Sequence, residues 1–169
     1  MIGNIKIIAV CMCKVYDERN YRIIRALNNF AVENDYRLFV YHTCSDLYWK
    51  TLSEKGEQSV FDLIDYNITD AVVTFEEGVY AENVMTKIRM DAAKYGKPVI
   101  SVGVDHDDCI SIKFGYAKGF EQVVRHVIEQ HGVRDIGFIA GRKDEENSEE
   151  RIAVFRKLLE EYDIPFRND

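Results

Sequence analysis

Proline is scarce in this chain: only Pro98 and Pro165 occur in 169 residues, so helices and strands run with few chain-breaking rings. Cysteine is scarce as well. Cys11, Cys13, Cys44 and Cys109 lack any paired C-x-x-C spacing, which excludes the usual zinc frameworks and makes a reduced, cytoplasmic protein the expectation. Long apolar runs are missing too. The first one ends by Cys13 and no small-residue cleavage site follows it, so neither a membrane span nor a membrane partner is expected. Positive charge is in deficit: 22 Lys and Arg face 29 Asp and Glu, for a net charge of −7. Phosphate backbones are held by clustered cations, so no nucleic-acid partner is expected for this chain. Arg19, Arg22 and Arg25 form the one notable basic cluster, read as the solvated edge of a helix.

Phosphate-cradling motifs are also absent. No G-x-G-x-x-G follows the first strand and no G-x-x-x-x-G-K-[ST] occurs, which removes the common dinucleotide and nucleoside-triphosphate sites. A phosphoacceptor receiver would need an acidic pair after the first strand and an Asp ending the third. Here the chain reads Val10-Cys11-Met12-Cys13 and Val73-Thr74-Phe75. No cofactor is implied, and the Asp105-His106-Asp107-Asp108 run reads as a polar connecting loop rather than a metal site, because adjacent residues rarely all face one ion.

What the chain has in abundance is alternation. A continuous apolar run over 6–12 predicts a central parallel strand buried on both faces. A helix is predicted over 18–33, with Tyr21, Ile24, Leu27, Phe30 and Ala31 on one stripe. Strands follow over 36–42, 70–74, 99–102, 109–113 and 135–140. Helices are predicted over 60–65, 81–95 and 115–130, the last stopped by Gly132, and another starts near Ser148 with Asn147 and Glu150 as a capping box. Strands alternating with helices imply an α/β fold, a parallel sheet covered by helices on both faces in a Rossmann-like lobe.

In such sheets ligands meet the loops beyond the carboxyl ends of the strands. Those loops offer Asp17, Asn20 and Tyr21 after the first strand, Asp46 after the second, and Arg142, Ser148 and Arg151 around the start of the last helix. The mixture of hydroxyl, amide, carboxylate and aromatic groups suits a polar small molecule. Arg151 stands out, since a planar guanidinium can grip two neighbouring hydroxyls or a carboxylate with parallel hydrogen bonds. The competing reading makes it a helix-face partner of Asn147 or Phe155, or a surface pair with Glu149 or Glu150. A small α/β enzyme using Asp105, His106 or Cys109 is a further alternative, though no nucleophile elbow supports it.

Several of these stretches resemble one family. Asn67-Ile68-Thr69-Asp70-Ala71-Val72-Val73 stands where LacI-type repressors have a "VDGII"-like strand, and Lys97-Pro98-Val99-Ile100 where they have "IPVV". His131-Gly132-Val133-Arg134-Asp135-Ile136-Gly137-Phe138-Ile139-Ala140-Gly141, followed by Ser148-Glu149-Glu150-Arg151-Ile152-Ala153-Val154-Phe155, is similar to "GHRRIGFIGG…SxxRxxGF". The resemblance is to the effector-binding domain of that family, a type I periplasmic-binding-protein-like fold. It implies a non-catalytic sensor of a sugar-like effector in a bacterial regulator, with Arg151 on the effector and the residues around Asp17 and Tyr21 on the opposite wall. Val154 stands where the family has glycine, and the loop 15–20 lacks its "NPFF"-like wording. The stretch from Gly56 to Asp65, with Asp17-Glu18-Arg19, resembles LacI-like sensors joined to diguanylate cyclases.

On this reading residues 1–131 form the N-terminal lobe, and 132–169 the first strand and helix of an incomplete second lobe. A lone strand must find an edge. The strand at 135–140 is therefore expected either to extend a single sheet in the order 2-1-3-4-5-6 or to pair with a second chain, making a homodimer. With one lobe incomplete, effector binding is expected to be weak or absent.

Overall fold

Ile7, Ile8, Ala9, Val10, Cys11 and Met12 succeed one another in β1, Lys6–Cys13. A strand without a polar face is satisfied only in the middle of a sheet that is covered on both sides. The structure, a computed structural model, describes residues 5–77, 79–141, 143 and 145–167. It places β1 between β2 (Tyr36–Thr43) and β3 (Ala71–Phe75), both parallel to it. β4 (Val99–Val102) and β5 (Ile110–Ile112) continue the sheet to give the order β2-β1-β3-β4-β5. The expected parallel α/β fold is the one observed.

Strand alternation sends the side chains of β1 to two separate cores. Ala9, Cys11 and Cys13 face Phe61, Ile64, Met85, Ile88 and Ala92. These come from the segment after α2 (Leu52–Gln58), including the 3-10 turn Ser59–Leu63, and from α3 (Glu82–Lys94). Val10 and Met12 face the other way, toward Ile24 and Leu27 of α1 (Glu18–Glu33). Tyr21 and Phe30, expected on the same stripe, are instead 57% and 60% exposed. The stripe that covers the sheet is narrower than the sequence suggests.

The chain divides into two compact units, one ending at Lys113 and the other beginning at Phe114. The sequence reading put the division near residue 131. α4 (Tyr116–His131) instead belongs with α5 (Glu146–Glu161), where Val124 and Ile128 join Phe155, Leu158 and Leu159 in a small core. Gly132 closes α4 in the left-handed conformation at φ 64, as the helix stop predicts.

Two expectations fail in this second unit. Residues 135–140 form no strand, and the sheet ends at β5 without a sixth member among the described residues. Strand structure exists only as a ladder, and among the described residues of this chain no strand lies beside the segment, which leaves the pairing with a second chain as a proposal. Ile136 and Phe138 pack onto the helix pair instead, while Ile139 is left 98% exposed. The capping box at Asn147 and Glu150 is also not formed. Glu145 is the N-cap, and Asn147 lies inside the first turn. A capping box does occur where the sequence reading put none. Thr51 accepts a hydrogen bond from the Glu54 amide at 3.2 Å, and the Glu54 carboxylate accepts from the Thr51 amide at 2.9 Å, opening α2.

Candidate functional site

The order β2-β1-β3 reverses direction at β1, so the loops after β1 and β3 diverge there and leave the crevice in which such sheets take ligands. In the first unit two ion pairs tie the loops of this edge together. Lys14 Nζ lies 2.8 Å from Asp46, joining the loops after β1 and β2. Arg19 lies 2.6 Å from Glu77, joining α1 to the loop after β3. The hydrogen bond from Lys14 holds the Asp46 carboxyl below the ordinary carboxylate value and raises the lysine in turn.

Of the residues expected here, Asp46 is therefore paired and Asn20 is engaged from below. The Asn20 amide donates to the carbonyls of Cys13 and Lys14, both at 3.0 Å, and so fixes the exit of β1. Asp17 is the N-cap of α1 without a side-chain capping bond. Tyr21 stands exposed on the helix. Asn20 and Asp46 thus meet at Lys14, one on its carbonyl and one on its ammonium.

In the second unit, Ser148 and Arg151 lie together at the start of α5. Ser148 is fully buried and donates to the Glu145 carboxylate at 2.7 Å. Arg151 folds back along its own helix, donating to the Asn147 carbonyl at 3.0 Å and approaching the Ser148 hydroxyl at 3.4 Å. The helix-face alternative is thus the contact seen. Arg142 lies outside the described residues.

Sequence reasoning missed a buried charge cluster at the end of β3. Glu76 accepts from Thr74 Oγ1 at 2.7 Å and from Arg89 at 2.9 and 3.0 Å, and His106 Nε2 lies 2.9 Å from its second oxygen. Asp108 comes within 3.5 Å of Arg89 Nε, the one buried side-chain polar atom without a hydrogen-bond partner among the described residues. The imidazole of His106 turns to Glu76, and the Cys109 thiol is pushed up by burial. A raised thiol is a poor nucleophile, which weakens the enzyme alternative built on that pair.

Also missed is an aromatic tier. Tyr48 meets Trp49 edge-on at 4.7 Å between centroids and Tyr80 at 5.3 Å, and Tyr16 meets His42 at 5.2 Å. Tyr48 and Trp49 lie beyond Asp46, the last residue of the loop after β2 expected at the site. The adjacent Tyr48-Trp49 pair was the available signal.

Two recesses lie away from this edge. One of about 570 Å³ opens between α3 and the segment around Phe61, with Tyr66, Lys87, Asp91 and Tyr95 on its walls. Another, of about 780 Å³, runs in the second unit between Ile136–Phe138 and α5. No helix among the described residues is long and apolar enough to cross a membrane.

No family model and no curated protein matches the sequence. Solved structures do match. The transcription regulator CcpA of Lactococcus lactis aligns with a TM-score of 0.70 at 21% identity, covering 96% of this chain and 56% of that one. A sugar-binding transcriptional regulator (LacI family) from Enterococcus faecalis aligns at 0.66 and 15% identity, covering 99% and 56%. A periplasmic binding protein/LacI transcriptional regulator from Alkaliphilus metalliredigens QYMF, complexed with D-xylulofuranose, aligns at 0.66 and 18% identity, covering 97% and 57%. The present chain thus spans about half the length of the structures it matches. At these identities the likeness is one of fold: a parallel α/β sheet of the kind found in LacI-family regulators and periplasmic-binding-protein-like domains.

Proposed function

We propose that this chain is a non-catalytic, effector-sensing domain of a bacterial transcriptional or signalling regulator, whose ligand is a small, sugar-like molecule. The observation that carries this reading is the β1/β3 reversal, where the loops after β1, β2 and β3 bring polar and aromatic side chains to one edge of the sheet. Arg151, half-buried at the start of α5, would turn from the Asn147 carbonyl to a ligand, with buried Ser148 beneath it as support. Among proteins of similar fold, one is named sugar-binding and another was solved with D-xylulofuranose, which supports a sugar-like effector here. The Lac repressor, similar at a TM-score of 0.65, was solved as a dimer on its operator, which supports a homodimer and favours a DNA-directed output over the diguanylate-cyclase alternative. Ligand binding would act by favouring one of two arrangements of the whole regulator.

A thermal-shift screen against small sugars and sugar alcohols tests the reading. A binding sugar raises the melting temperature in proportion to the logarithm of its concentration above Kd, and Arg151→Met removes the shift while leaving the unliganded melting temperature in place. A screen in which Arg151→Met leaves every shift intact speaks against it. Light scattering tests the dimer.

A further inference from the structure

Trp49 is the only tryptophan of the chain, and it stands 76% exposed on the loop after β2. An indole left in water gains nothing from burial, yet the loop beneath it is firmly built. Leu47 at φ 62 and Lys50 at φ 53 bracket the Tyr48-Trp49 pair in left-handed conformations, which residues with a side chain adopt only where the surroundings impose them. Leu47 is fully buried as a peg in the core. Glu57 accepts from the amides of Cys44 and Ser45 at 2.8 and 2.9 Å and from the Ser45 hydroxyl at 3.1 Å. The Tyr80 amide donates to the Asp46 carbonyl at 2.9 Å, and the Trp49 amide to Glu54 at 3.3 Å. The result is a fixed tier in which the rings of Trp49, Tyr48 and Tyr80 touch in series.

Three groups of charges near the same edge answer one another. Lys14 meets Asp46, Arg19 meets Glu77, and Glu76 is enclosed by Arg89 and His106. A ligand charge set against these groups would have to break up a pair, whereas an uncharged ring can lie on the aromatic tier and leave them intact. Aromatic faces favour flat or ring-shaped ligands with an apolar side.

We propose that Trp49, backed by Tyr48 and Tyr80, is the platform on which the first unit receives an uncharged ring face-on, either the apolar face of a sugar or a neutral heterocycle. This rests on the effector-sensing reading and names the chemical class that its site takes.

The single indole gives one N–H cross-peak in a spectrum of the ¹⁵N-labelled full chain, which serves as the readout. Methyl β-D-glucopyranoside and cytosine serve as the neutral probes and glucose 6-phosphate as the charged one. At least one neutral ring is expected to move the indole peak saturably, and which one does so separates the two sources. Trp49→Ala, followed through the neighbouring Tyr48 and Lys50 amides, is expected to weaken that binding by about 5- to 100-fold, the loss of one stacked ring. The proposal is overturned if neither neutral ring moves the peak, or if the phosphate binds about tenfold tighter than its neutral counterpart. It is also overturned if the peak moves only with the protein's own concentration, which would make a second copy the occupant. A sugar whose thermal shift depends on Arg151 but is untouched by Trp49→Ala overturns the platform alone and leaves the sensing reading standing.

Discussion

One guanidinium nitrogen of Arg89 faces both carboxylate oxygens of Glu76, at 2.9 and 3.0 Å, with the two side chains only 7% and 6% exposed. The pair joins α3 to the end of β3, and His106 and Thr74 complete the ring around the carboxylate. Removing one member of such a pair leaves the other charge buried without its partner, which costs far more than the net contribution of the pair itself. Arg89→Met is therefore expected to lower stability by about 3–5 kcal/mol in urea unfolding. The double variant Arg89→Met with Glu76→Gln is expected to recover some of the loss. A cost below about 1 kcal/mol for the single variant would mean that water reaches the site.

Burial controls the thiols. Cys13 is pushed up to about 11, first by burial, and Cys11 is raised further still by the same cause. A thiol-specific disulfide reagent at pH 8 is expected to modify exposed Cys44 at once and to reach Cys11 and Cys13 only on unfolding. The linkage follows from the protonated form being the one that is buried. Stability from Cys13 is fully present below the unfolded value of 9.0 and is lost as the pH rises toward 11, with stability falling because the native state then holds more protons. Cys13→Ala should flatten that alkaline decline in unfolding experiments at several pH values.

Asp46 titrates in the opposite sense. Its carboxyl lies below 3.8, chiefly through the hydrogen bond from Lys14. The contribution of Asp46 is present above 3.8 and lost as the pH falls through its lower folded value. Asp46→Asn is expected to make the first unit less dependent on acid pH. Because the pair is partly exposed, the difference should also shrink in high salt. An acid profile identical to that of the parent protein would show the pairing to be ineffective.

Gly103 leaves β4 at φ 103, and a side chain there would place its Cβ 2.5 Å from Cβ of Glu77. Both the backbone angle and the crowding resist substitution. Gly103→Ala is expected to cost roughly 1–3 kcal/mol and to displace the loop that carries Glu77, seen as shifts of the Arg19 side-chain resonances. Unchanged resonances with full stability would contradict the crowding.

Several elements were readable because their causes are local. The helix over 18–33 has the bounds the apolar spacing predicts, and the strand over 99–102 follows from Lys97-Pro98 and the apolar run behind it. The strand over 135–140 had the right residue types as well, yet a strand needs a neighbour that the sequence of the segment does not contain. Thr51 and Glu54 carried a capping signal that was there to be read. Asn147 and Glu150 carried the same spacing, but Glu145 became the cap because its backbone takes the extended conformation at the helix entrance.

The site divides along the same line. Asp17, Asn20, Asp46 and Arg151 stand as candidates by their places after strands and at helix starts, and no contact with a ligand tests them. What the sequence by itself determined is the alternation of strand and helix, since burial periodicity is written within each segment. The tertiary structure alone decided which polar groups answer one another. Glu76 meets Arg89 and His106 at separations of 13 and 30 residues, Lys14 meets Asp46 at 32, and Arg19 meets Glu77 at 58. Charges and rings act through distance in space, and that distance is fixed only when the sheet brings the ends of its strands to a common edge.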